Sequence, residues 1–468
     1  MKLLKSILIC LAMFIITYPD RGLGGEEREK KEKEVVELPE MVVIAPQPGV
    51  EITPEKTIIR MDEFKKPGQV RTLTDVLTEI GGIDVQRTNP LMASPGDEVS
   101  IRGLNEGRMV IEIDGRRINH TGHYGRYIVD WSTLNIDDIE RIEIIRGGHS
   151  VLHPFAIGGV INIITKKGKR TKEIKPDISF KGGYGRYDTY NTSVSITGGL
   201  YNLIGYHFSA SKGETDGYLR NNYQDTYNIN GHLTFFLPHE ATFTLGLKYS
   251  DVDYGFPVIN DPSRPDYDPD YPVFVPGADQ LRHLPPTGQL PQNNPHWDKH
   301  TTYLDGILHL PLGPGNIKLH GFWTEGRRWV SMWRGNTFIK DFFVDDRTKG
   351  IICEYRDIKF DFLSRHCLTL GFEYQELGWP DENRIIYLVK SGYLQDVIQL
   401  GAWTFTPGVR YYKVDMDTYY SQFGAGWPMA GKKQDDSDFF PSFKVNFQAT
   451  PKTALYAAIS RSYRLPCP

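Results

Sequence analysis

The sequence predicts a mostly β protein, in which an N-terminal α+β domain precedes an antiparallel transmembrane β-barrel that is incomplete at about 13 strands. From Lys175 onward apolar and polar residues alternate, as in "ATFTLGLKY", "CLTLGFEY" and "SFKVNFQA". A period of two over ~9–11 residues is typical of a lipid-facing strand. Short turns such as "LPHEA" and "LSRH" alternate with long connections, which favours a membrane barrel over a soluble sandwich. The long connections are expected at about 212–225, 253–300, 327–346, 379–393 and 419–436.

Composition agrees with a barrel and excludes two other classes of protein. The 468 residues carry a net charge of -4, without the concentrated basic face that nucleic-acid binding requires. Mean hydropathy is -0.40, and no run of ~20 apolar residues follows the N-terminus, which excludes spanning helices. Barrel strands hide their apolar residues in alternation, so the low mean hydropathy does not exclude a membrane barrel.

Residues 1–24 predict a signal peptide. Lys2 and Lys5 provide a basic start, an apolar stretch follows from Ile7 to Tyr18, and Gly24 supplies a small residue for cleavage. The apolar stretch is about 12 residues long, whereas a membrane anchor needs ~20. We therefore expect an exported protein.

Residues 25–49 predict a flexible linker that contains a short β-prone segment at 40–46. The run "EEREKKEKEVVE" cannot bury apolar surface and should act as a tether. Pro39 and Pro46 flank residues 41–45, and because proline removes a ladder donor, an internal sheet strand is not expected there. An isolated apolar strand suits pairing with the sheet edge of another protein. The alternative is an ordinary first strand of the next domain.

The sequence predicts that residues 50–170 form the α+β domain and that residues 171–468 form the barrel. The apolar residues of "RTLTDVLTEIGGI" have helical spacing, Thr72 can cap this helix, and Gly81 and Gly82 can end it. The segments "DEVSIRG", "RMVIEIDGRRI", "IERIEIIRGG" and "GGVINIITKKG" are strand-like, and Asp114 with Gly115 predicts a tight turn. No Gly-Lys-Ser/Thr follows the "AIGGV" glycines, so they do not form a phosphate loop.

The order of these segments closely resembles the plug domain of TonB-dependent outer-membrane receptors. The last plug segment of that family reads roughly Ser-x-Leu-Tyr-Gly-x-x-Ala-x-Gly-Gly-Val-Ile-Asn-Ile-Ile-Thr. This sequence matches it at Ser150, Leu152, Ala156 and throughout 158–165, and departs from it at His153 and Pro154. The resemblance implies a plug inside a barrel of about 22 strands. It also identifies the β-prone segment as the TonB box, comprising Glu40, Met41, Val42, Val43, Ile44 and Ala45.

The resemblance assigns a structural role to a set of plug residues at the family's motif positions. They are expected to hold the plug in a polar lumen, and none is expected to be catalytic. The set comprises Arg102, Gly103, Asp114, Gly115, Arg141, Glu143, Arg146, Gly147, Gly158, Gly159 and Asn162.

Ligand binding in this family takes place between the apical plug loops and the outer barrel surface. The apical loops are expected at about 87–97 and 116–127. His120, His123, Tyr124 and Arg126 are candidates for contacting an anionic metal chelate, because guanidinium and imidazole groups suit such ligands. The alternative is that they are solvated loop residues.

The function implied by the resemblance is import of a metal chelate across the Gram-negative outer membrane, in the first place an iron-siderophore. Haem and cobalamin are the alternative ligands. The implied partner is TonB with its inner-membrane energising complex, and the receptor is expected to be a monomer in outer-membrane lipid without enzymatic activity, cofactor or resident metal. A non-transporting binding or signalling protein and a lumen enzyme are the rival functions; we find no catalytic serine or aspartate motif.

The strand count predicts a truncated receptor. An odd count of about 13 cannot close a barrel with an even number of strands, and plugged transporters have about 22. The last strand, "TALYAAISRSY", overlaps "YAAISRSYRLP", which looks like the Arg-x-Pro box that lies well inside these barrels. Cys353 and Cys367 fall in neighbouring predicted strands, and a disulfide between them remains open.

Overall fold

The structure is a computed structural model of the chain. It describes residues 43–44, 48–53, 56–64, 72–121, 127–147, 151–153, 155–275, 293–334, 336–379, 385–418, 433–450 and 453–463. The predicted signal peptide, the charged linker, box residues 40–42 and 45, and the loop candidates His123, Tyr124 and Arg126 lie outside the described residues.

One helix and eleven strands are described in the N-terminal domain, which we call the plug. They are β1 (Val43–Ile44), β2 (Val50–Ile52), β3 (Lys56–Arg60), α1 (Leu73–Leu77), β4 (Ile83–Gln86), β5 (Glu98–Ile101), β6 (Met109–Ile113), β7 (Arg116–Arg117), β8 (His120–Thr121), β9 (Tyr127–Ile128), β10 (Ile139–Arg146) and β11 (Gly159–Thr165). The main sheet has the order β1-β2-β3-β10-β11-β6-β7 and is antiparallel except between β11 and β6. Two small hairpins, β4-β5 and β8-β9, complete the described strands.

The predicted helix forms but is shorter than expected. Thr72 caps α1 as predicted, through a reciprocal capping box with Asp75. The helix ends at Leu77, because the next two bonds run over three residues, from Glu79 N–H to the Val76 carbonyl and from Ile80 N–H to the Leu77 carbonyl. Its buried apolar residues still pack into the plug core.

The predicted turn between β6 and β7 is confirmed. Asp114 and Gly115 have φ angles of 53° and 85°, the left-handed pair that a two-residue hairpin turn requires. A hydrogen bond from the Gly115 N–H to the Asn162 side-chain oxygen (3.1 Å) fixes the turn against β11. The turn therefore has a defined place at the end of the plug sheet.

The segment expected to be an isolated strand is different in the structure. Val43 and Ile44 pair with Ile52 and Glu51 and form the edge strand of the plug sheet, which corresponds to the alternative interpretation. An edge position agrees with the flanking prolines, since an edge strand has one unpaired side. The assignment of the TonB box stays a prediction.

A second sheet follows the plug and contains thirteen strands, as predicted. They are β12 (Asp177–Tyr184), β13 (Tyr190–Leu200), β14 (Ile204–Thr215), β15 (Gln224–Phe236), β16 (Thr242–Gly255), β17 (His296–Leu312), β18 (Gly315–Arg334), β19 (Thr337–Phe362), β20 (Ser364–Trp379), β21 (Ile385–Leu400), β22 (Trp403–Thr418), β23 (Lys433–Thr450) and β24 (Thr453–Ser460). Every neighbouring pair is antiparallel and consecutive in the chain; among the described residues β12 and β24 do not pair with each other.

The alternation that predicted the strands separates two faces of this sheet. In β16, Leu245 and Leu247 are exposed on one face, whereas Thr244 and Ser250 are buried on the other. The same alternation is present in β20 and β23. The face with the exposed apolar residues is suited to lipid, and the opposite face contacts the plug.

Three predicted long connections are shorter in the structure, because the strands continue through them. The connections after β14, β18 and β20 occupy residues 216–223, 335–336 and 380–384. The largest difference is between β18 and β19, where pairing continues to Arg334 and Thr337. Ring pairs across this hairpin join Trp329 to Phe342 (5.0 Å) and Trp333 to Phe338 (5.2 Å), and such aromatic pairs stabilise strand pairing.

Among the described residues, no helix is long and apolar enough to cross a membrane.

The two strand cysteines are free thiols. Cys353 lies opposite Phe372, and Cys367 lies opposite Lys359, although their strands are neighbours. The open question of a disulfide is thereby answered: the register does not place the two residues opposite each other.

Candidate functional site: the interface of plug and barrel

Arg116 makes a polar contact between the two domains. It lies in β7 directly after the turn at Asp114 and Gly115, which directs it at the barrel sheet. Its side chain is 1% exposed, with Nε 2.8 Å from Asp305 Oδ1 of β17. Its Nη1 also donates to Thr324 Oγ1 of β18 (2.8 Å), and the guanidinium lies over the Tyr303 ring at 5.1 Å. A planar cation with several donors suits this combination of carboxylate, hydroxyl and ring.

A second contact lies beside the first. Asp130 caps the 3₁₀ turn Trp131–Thr133, and its Oδ2 lies 3.1 Å from Lys299 Nζ of β17. Both side chains of this pair are almost fully buried. The Thr133 and Tyr303 hydroxyls are 3.3 Å apart. Because a buried charge is costly unless it is paired, Asp130 needs its barrel partner Lys299.

A third contact joins two adjacent aspartates of the plug to the first barrel strands. Asp137 accepts hydrogen bonds from Lys181 of β12 and Ser193 of β13. Asp138 accepts from Ser209 of β14 and pairs with His207 Nε2 at 3.1 Å. Although burial alone would raise it, the hydrogen bonds from His207 and Ser209 hold the pKa of Asp138 below its usual value. The carboxylate therefore stays ionised inside the interface.

Asp114 links the plug turn to its own sheet and to the barrel. Its carboxylate accepts hydrogen bonds from Thr165 Oγ1 (2.6 Å) and Lys167 Nζ (2.9 Å), and its carbonyl accepts from Lys318 Nζ of β18 (3.2 Å). Burial opposes ionisation, but the charge of Lys167 and the Thr165 hydroxyl bring the pKa of Asp114 well below its usual range. The turn is thus anchored as an anion among cations.

The opposite side of the plug makes an apolar contact. Phe155 stacks on Tyr412 of β22 with ring centroids 4.8 Å apart, and it is 7% exposed. The cluster combines plug and barrel residues, namely Val110, Phe155, Ala156, Val160, Leu377, Tyr387, Val389, Tyr412, Val414, Met416 and Phe440. Its barrel members come from β20 to β23, on the face opposite the lipid-suited one.

The predicted structural arginines of the plug lie within its own sheet. Arg141 of β10 pairs with Glu143 (2.9 Å), which also approaches Lys56 of β3 (3.4 Å). Arg146 donates to Thr57 Oγ1 (2.6 Å) and to the Gly81 carbonyl (3.1 Å). The main-chain N–H of Arg102 donates to the Gly82 carbonyl (2.9 Å). These contacts agree with the structural role, which stays a prediction.

The predicted glycines occupy tight backbone positions. Gly103, Gly115, Gly147 and Gly159 have positive φ angles. A Cβ at Gly159 would lie 2.5 Å from the Ile145 carbonyl oxygen, and one at Gly158 would lie 2.9 Å from the Leu104 Cβ. The close pairing of β11 with β10 therefore depends on the absence of a side chain at Gly159.

The structure does not bring the four ligand candidates together in a described site. His120 lies in β8, where its backbone pairs with Ile128, and the other three lie outside the described residues. Their assignment therefore stays a prediction.

One group in the described part of the chain could hold a metal ion. Asp251, Asp298 and His300 place their ligand atoms within 4.8 Å of one another, with His300 Nε2 3.4 Å from Asp251 and 3.2 Å from Asp298. The three side chains lie on the face opposite to the plug, on β16 and β17. Their mutual ion pairs account for the arrangement without a metal.

Of the polar plug residues that contact the barrel, sequence reasoning singled out Asp114 and missed the others. Arg116, Asp130, Asp137 and Asp138 are all buried at the interface, yet none was a candidate. A signal was present, since two acidic residues in "NIDDIERI" directly precede an apolar strand. Their partners are polar residues on the plug-facing positions of β12 to β18, which the alternation marks but cannot match to individual plug residues.

Comparison with known families gives two matches that together cover most of the chain. The TonB-dependent receptor plug domain matches residues 50–160. The TonB dependent receptor-like β-barrel matches residues 175–466. The two matched ranges correspond to the plug and to the thirteen-stranded sheet.

Individual relatives show the same architecture. The vitamin B12 transporter BtuB of Vibrio vulnificus (strain CMCP6) is 28% identical over 170 residues, which are 36% of this chain and 26% of that protein. The structure of the ferric citrate transporter FecA has a TM-score of 0.67 and 19% identity, and the match covers 87% of this chain and 62% of that one. The structure of the copper transporter OprC has a TM-score of 0.69 and 14% identity, and the match covers 89% of this chain and 64% of that one.

These likenesses to solved structures show the fold, and the chain spans less than two thirds of the length of each of these relatives. Both domains of the family are matched in order, and the plug packs against the inner face of the barrel sheet. The chain therefore belongs to the TonB-dependent receptors of the Gram-negative outer membrane.

Proposed function

We propose that the protein imports a metal chelate, in the first place an iron-siderophore, across the outer membrane with energy supplied through TonB. The observation that carries this proposal is the plug held on two sides by plug-facing residues of the barrel, with ion pairs at Arg116 and Asp130 and stacking at Phe155. Release of a plug bound in this way requires several buried contacts to break together, so spontaneous release should be slow. Import then requires work from an energising partner.

The partner would act at the edge of the plug sheet. Val43 and Ile44 belong to the predicted TonB box and form edge strand β1. An edge strand has unpaired backbone groups on one side, which another protein can extend by strand addition. Tension on β1 would pass through β2 and β3 to β10, which is central in the sheet.

The substrate class is a proposal drawn from the relatives. FecA is a ferric citrate transporter, OprC a copper transporter and BtuB a vitamin B12 transporter, so metal complexes are common to all three. An anionic chelate suits the predicted ligand residues His120, His123, Tyr124 and Arg126. Cobalamin is the second candidate, because the similarity to BtuB extends over 170 residues of sequence.

Growth on single metal sources tests the proposal. A deletion strain would be complemented with the intact gene and grown with ferric siderophores, ferric citrate, haem or cobalamin as the limiting source. We expect growth to depend on the gene for at least one ferric siderophore. Equal growth with and without the gene on every iron source would contradict iron uptake, and dependence on cobalamin alone would favour the second candidate.

A variant of the box separates import from binding. Val43→Pro removes a backbone donor from β1, so we expect a ligand to bind at the cell surface as before while uptake is lost. Binding without uptake in the unaltered protein as well would instead indicate a non-transporting receptor. Because the proposed import makes and breaks no covalent bond, we propose no catalytic residue.

A further inference from the structure

Arg410 of β22 reaches from the barrel to the main chain of the plug. Its Nη1 donates to the carbonyls of Val151 (3.0 Å) and Leu152 (3.4 Å). Its Nη2 donates to Glu373 of β20, and its Nε donates to Ser391 Oγ of β21 (3.3 Å). The side chain is only 2% exposed. One guanidinium therefore joins three barrel strands to a plug segment, residues 151–153, which we call the latch segment.

The plug and the barrel approach each other closely at this point. Two residues before Arg410, a Cβ at Gly408 would lie 2.8 Å from a methyl group of Val151. The glycine lets the plug main chain come within reach of the guanidinium. Phe155, two positions beyond the latch segment, continues the contact by stacking on Tyr412.

His153 ends the latch segment and makes a second ion pair. Its Nδ1 lies 2.9 Å from Glu112 Oε2 of β6, and the two side chains are 17% and 2% exposed. This histidine is the residue at which the sequence departs from the plug motif, where tyrosine is usual. The chain thus has a titratable group at a position where the family motif has none that titrates near neutral pH.

Charged groups from three strands face His153. Glu112 faces it from β6, Arg410 from β22 and Glu354 from β19. Glu354 is in turn hydrogen-bonded by the Tyr393 hydroxyl of β21 (2.7 Å). The remaining groups of the cluster are Glu373, bonded to Arg410, and Lys318 and Arg356, which act on Glu354. Within this cluster a protonated imidazole is the cation that directly faces Glu112, at 2.9 Å.

We propose that Arg410, Glu112 and His153 form a proton-controlled latch, which holds the plug to the barrel while His153 is protonated and loosens when it is not. Arg410 supplies the permanent part of the hold, because its charge does not change near neutral pH. His153 supplies the variable part, since loss of its proton removes the charged partner that lies 2.9 Å from the buried Glu112 carboxylate. The latch segment then has one ion pair fewer to keep it in place.

The direction of the pH effect follows from the ion pair between His153 and Glu112. Burial alone would lower the pKa of His153, but the carboxylate of Glu112 overrides it and the pKa is raised above its ordinary 6.5. A raised pKa means that the stabilisation is fully present below 6.5 and is lost as the pH rises through the raised value. The plug is therefore held most tightly on the acidic side and is easier to release in alkaline surroundings.

Hydrogen exchange of the purified chain in detergent tests the latch and does not depend on transport or on any ligand. Peptides that cover residues 151–160 would be followed at pH 5.5, 7.0 and 8.5, with rates corrected for the intrinsic pH dependence of exchange. We expect corrected exchange to rise at least tenfold across this range. His153→Tyr, which restores the motif residue, should make it independent of pH, whereas His239→Asn at an exposed turn should leave the rise intact.

Three further variants keep the proposal testable if one of them unfolds. Glu112→Gln should abolish the rise by removing the partner of His153. Arg410→Met should give fast exchange at every pH, and if that variant does not fold, Arg410→Lys should give an intermediate rate, because lysine cannot reach Glu373, Ser391 and the carbonyls together. An unchanged pH profile in His153→Tyr, or unchanged protection in both Arg410 variants with a folded barrel, would overturn the latch.

Discussion

The plug meets the barrel differently on its two sides. Toward β12 to β18 the contact consists of buried ion pairs and hydrogen bonds from Arg116, Asp130, Asp137 and Asp138. Toward β20 to β23 it consists mainly of apolar packing around Phe155, with the latch at its edge. We call these the polar side and the apolar side.

The two sides differ in how their contacts to the barrel break. Apolar packing is lost gradually and responds little to pH, whereas a buried ion pair needs both partners and fails at once when one is neutralised or displaced. A pulled plug would therefore separate abruptly on the polar side and slide on the apolar side. Four measurements test this difference between the two sides.

The largest effect is expected from Arg116→Met on the polar side. The variant removes the guanidinium from the partly buried Asp305, which keeps His320 at 2.9 Å, and breaking a buried pair costs about 3–5 kcal/mol. The measurement is hydrogen exchange of plug peptides covering 109–118. The double variant Arg116→Met, Asp305→Asn removes both charges and should regain most of the loss. Equal losses in the single and double variants would show that the polar side does not depend on charge pairing.

A somewhat smaller effect is expected from Phe155→Ala on the apolar side. Loss of the buried ring should reduce the free energy that holds residues 155–165 by about 3 kcal/mol. Exchange in that region should increase, while residues 130–138 on the polar side keep their protection. Phe443→Ala is the matched control, because Phe443 is 44% exposed on the lipid-suited face. Equal loosening of both sides would mean that the plug is released as one unit.

Acid should increase the difference in stability between the two sides. The pKa values of Asp114 and Asp138 are lowered from 3.8, so the stabilisation is present above 3.8 and is lost as the pH falls through their lowered values. We expect the loss of protection to be larger on the polar side than around Phe155. Exchange of residues 130–138 and 155–160 below pH 3.8 gives the comparison. In Asp138→Asn the loss should be smaller, and equal acid sensitivity in that variant would assign the effect to other groups.

The smallest effect is expected from Thr72→Ala, which serves as a baseline away from both sides. Thr72 caps α1, and loss of such a cap costs about 1 kcal/mol. Exchange should increase in the first turn of α1 only. A change at residues 130–138 or 155–160 would show that the plug core couples the two sides.

The elements of the fold could be predicted from the sequence because their signals are local. The cap at Thr72, the turn at Asp114 and Gly115, and the alternation in β16 each arise within a few residues, and each is confirmed. The lengths of the strands were harder to predict from the sequence. In the hairpin of β18 and β19, a long connection was expected at about 327–346, whereas the pairing of Trp329 with Phe342 across the strands extends the ladder. A cross-strand pair is invisible until the register is known.

The interface could not be predicted for a different reason. Arg116 and Asp305 are 189 positions apart in the sequence, and nothing local to either residue marks the other. The alternation shows that Asp305 faces away from lipid, but several polar residues of β14 to β18 share that property. The latch was missed in the same way, since His153 registered only as a departure from a motif and its partner Glu112 lies on another strand.

The outer half of β19 has a consequence for how such molecules coexist in a crowded bilayer. The strand is 26 residues long, and its last pair with β20 in the described chain is Lys349 with Glu376, so residues 337–348 extend beyond that neighbour. An open strand edge is a template for aggregation between copies. Lys340 and Asp341 place charged side chains along this stretch, and charges on an open edge disfavour pairing with a second copy. Neighbouring copies can therefore be densely packed without joining into fibres through this edge.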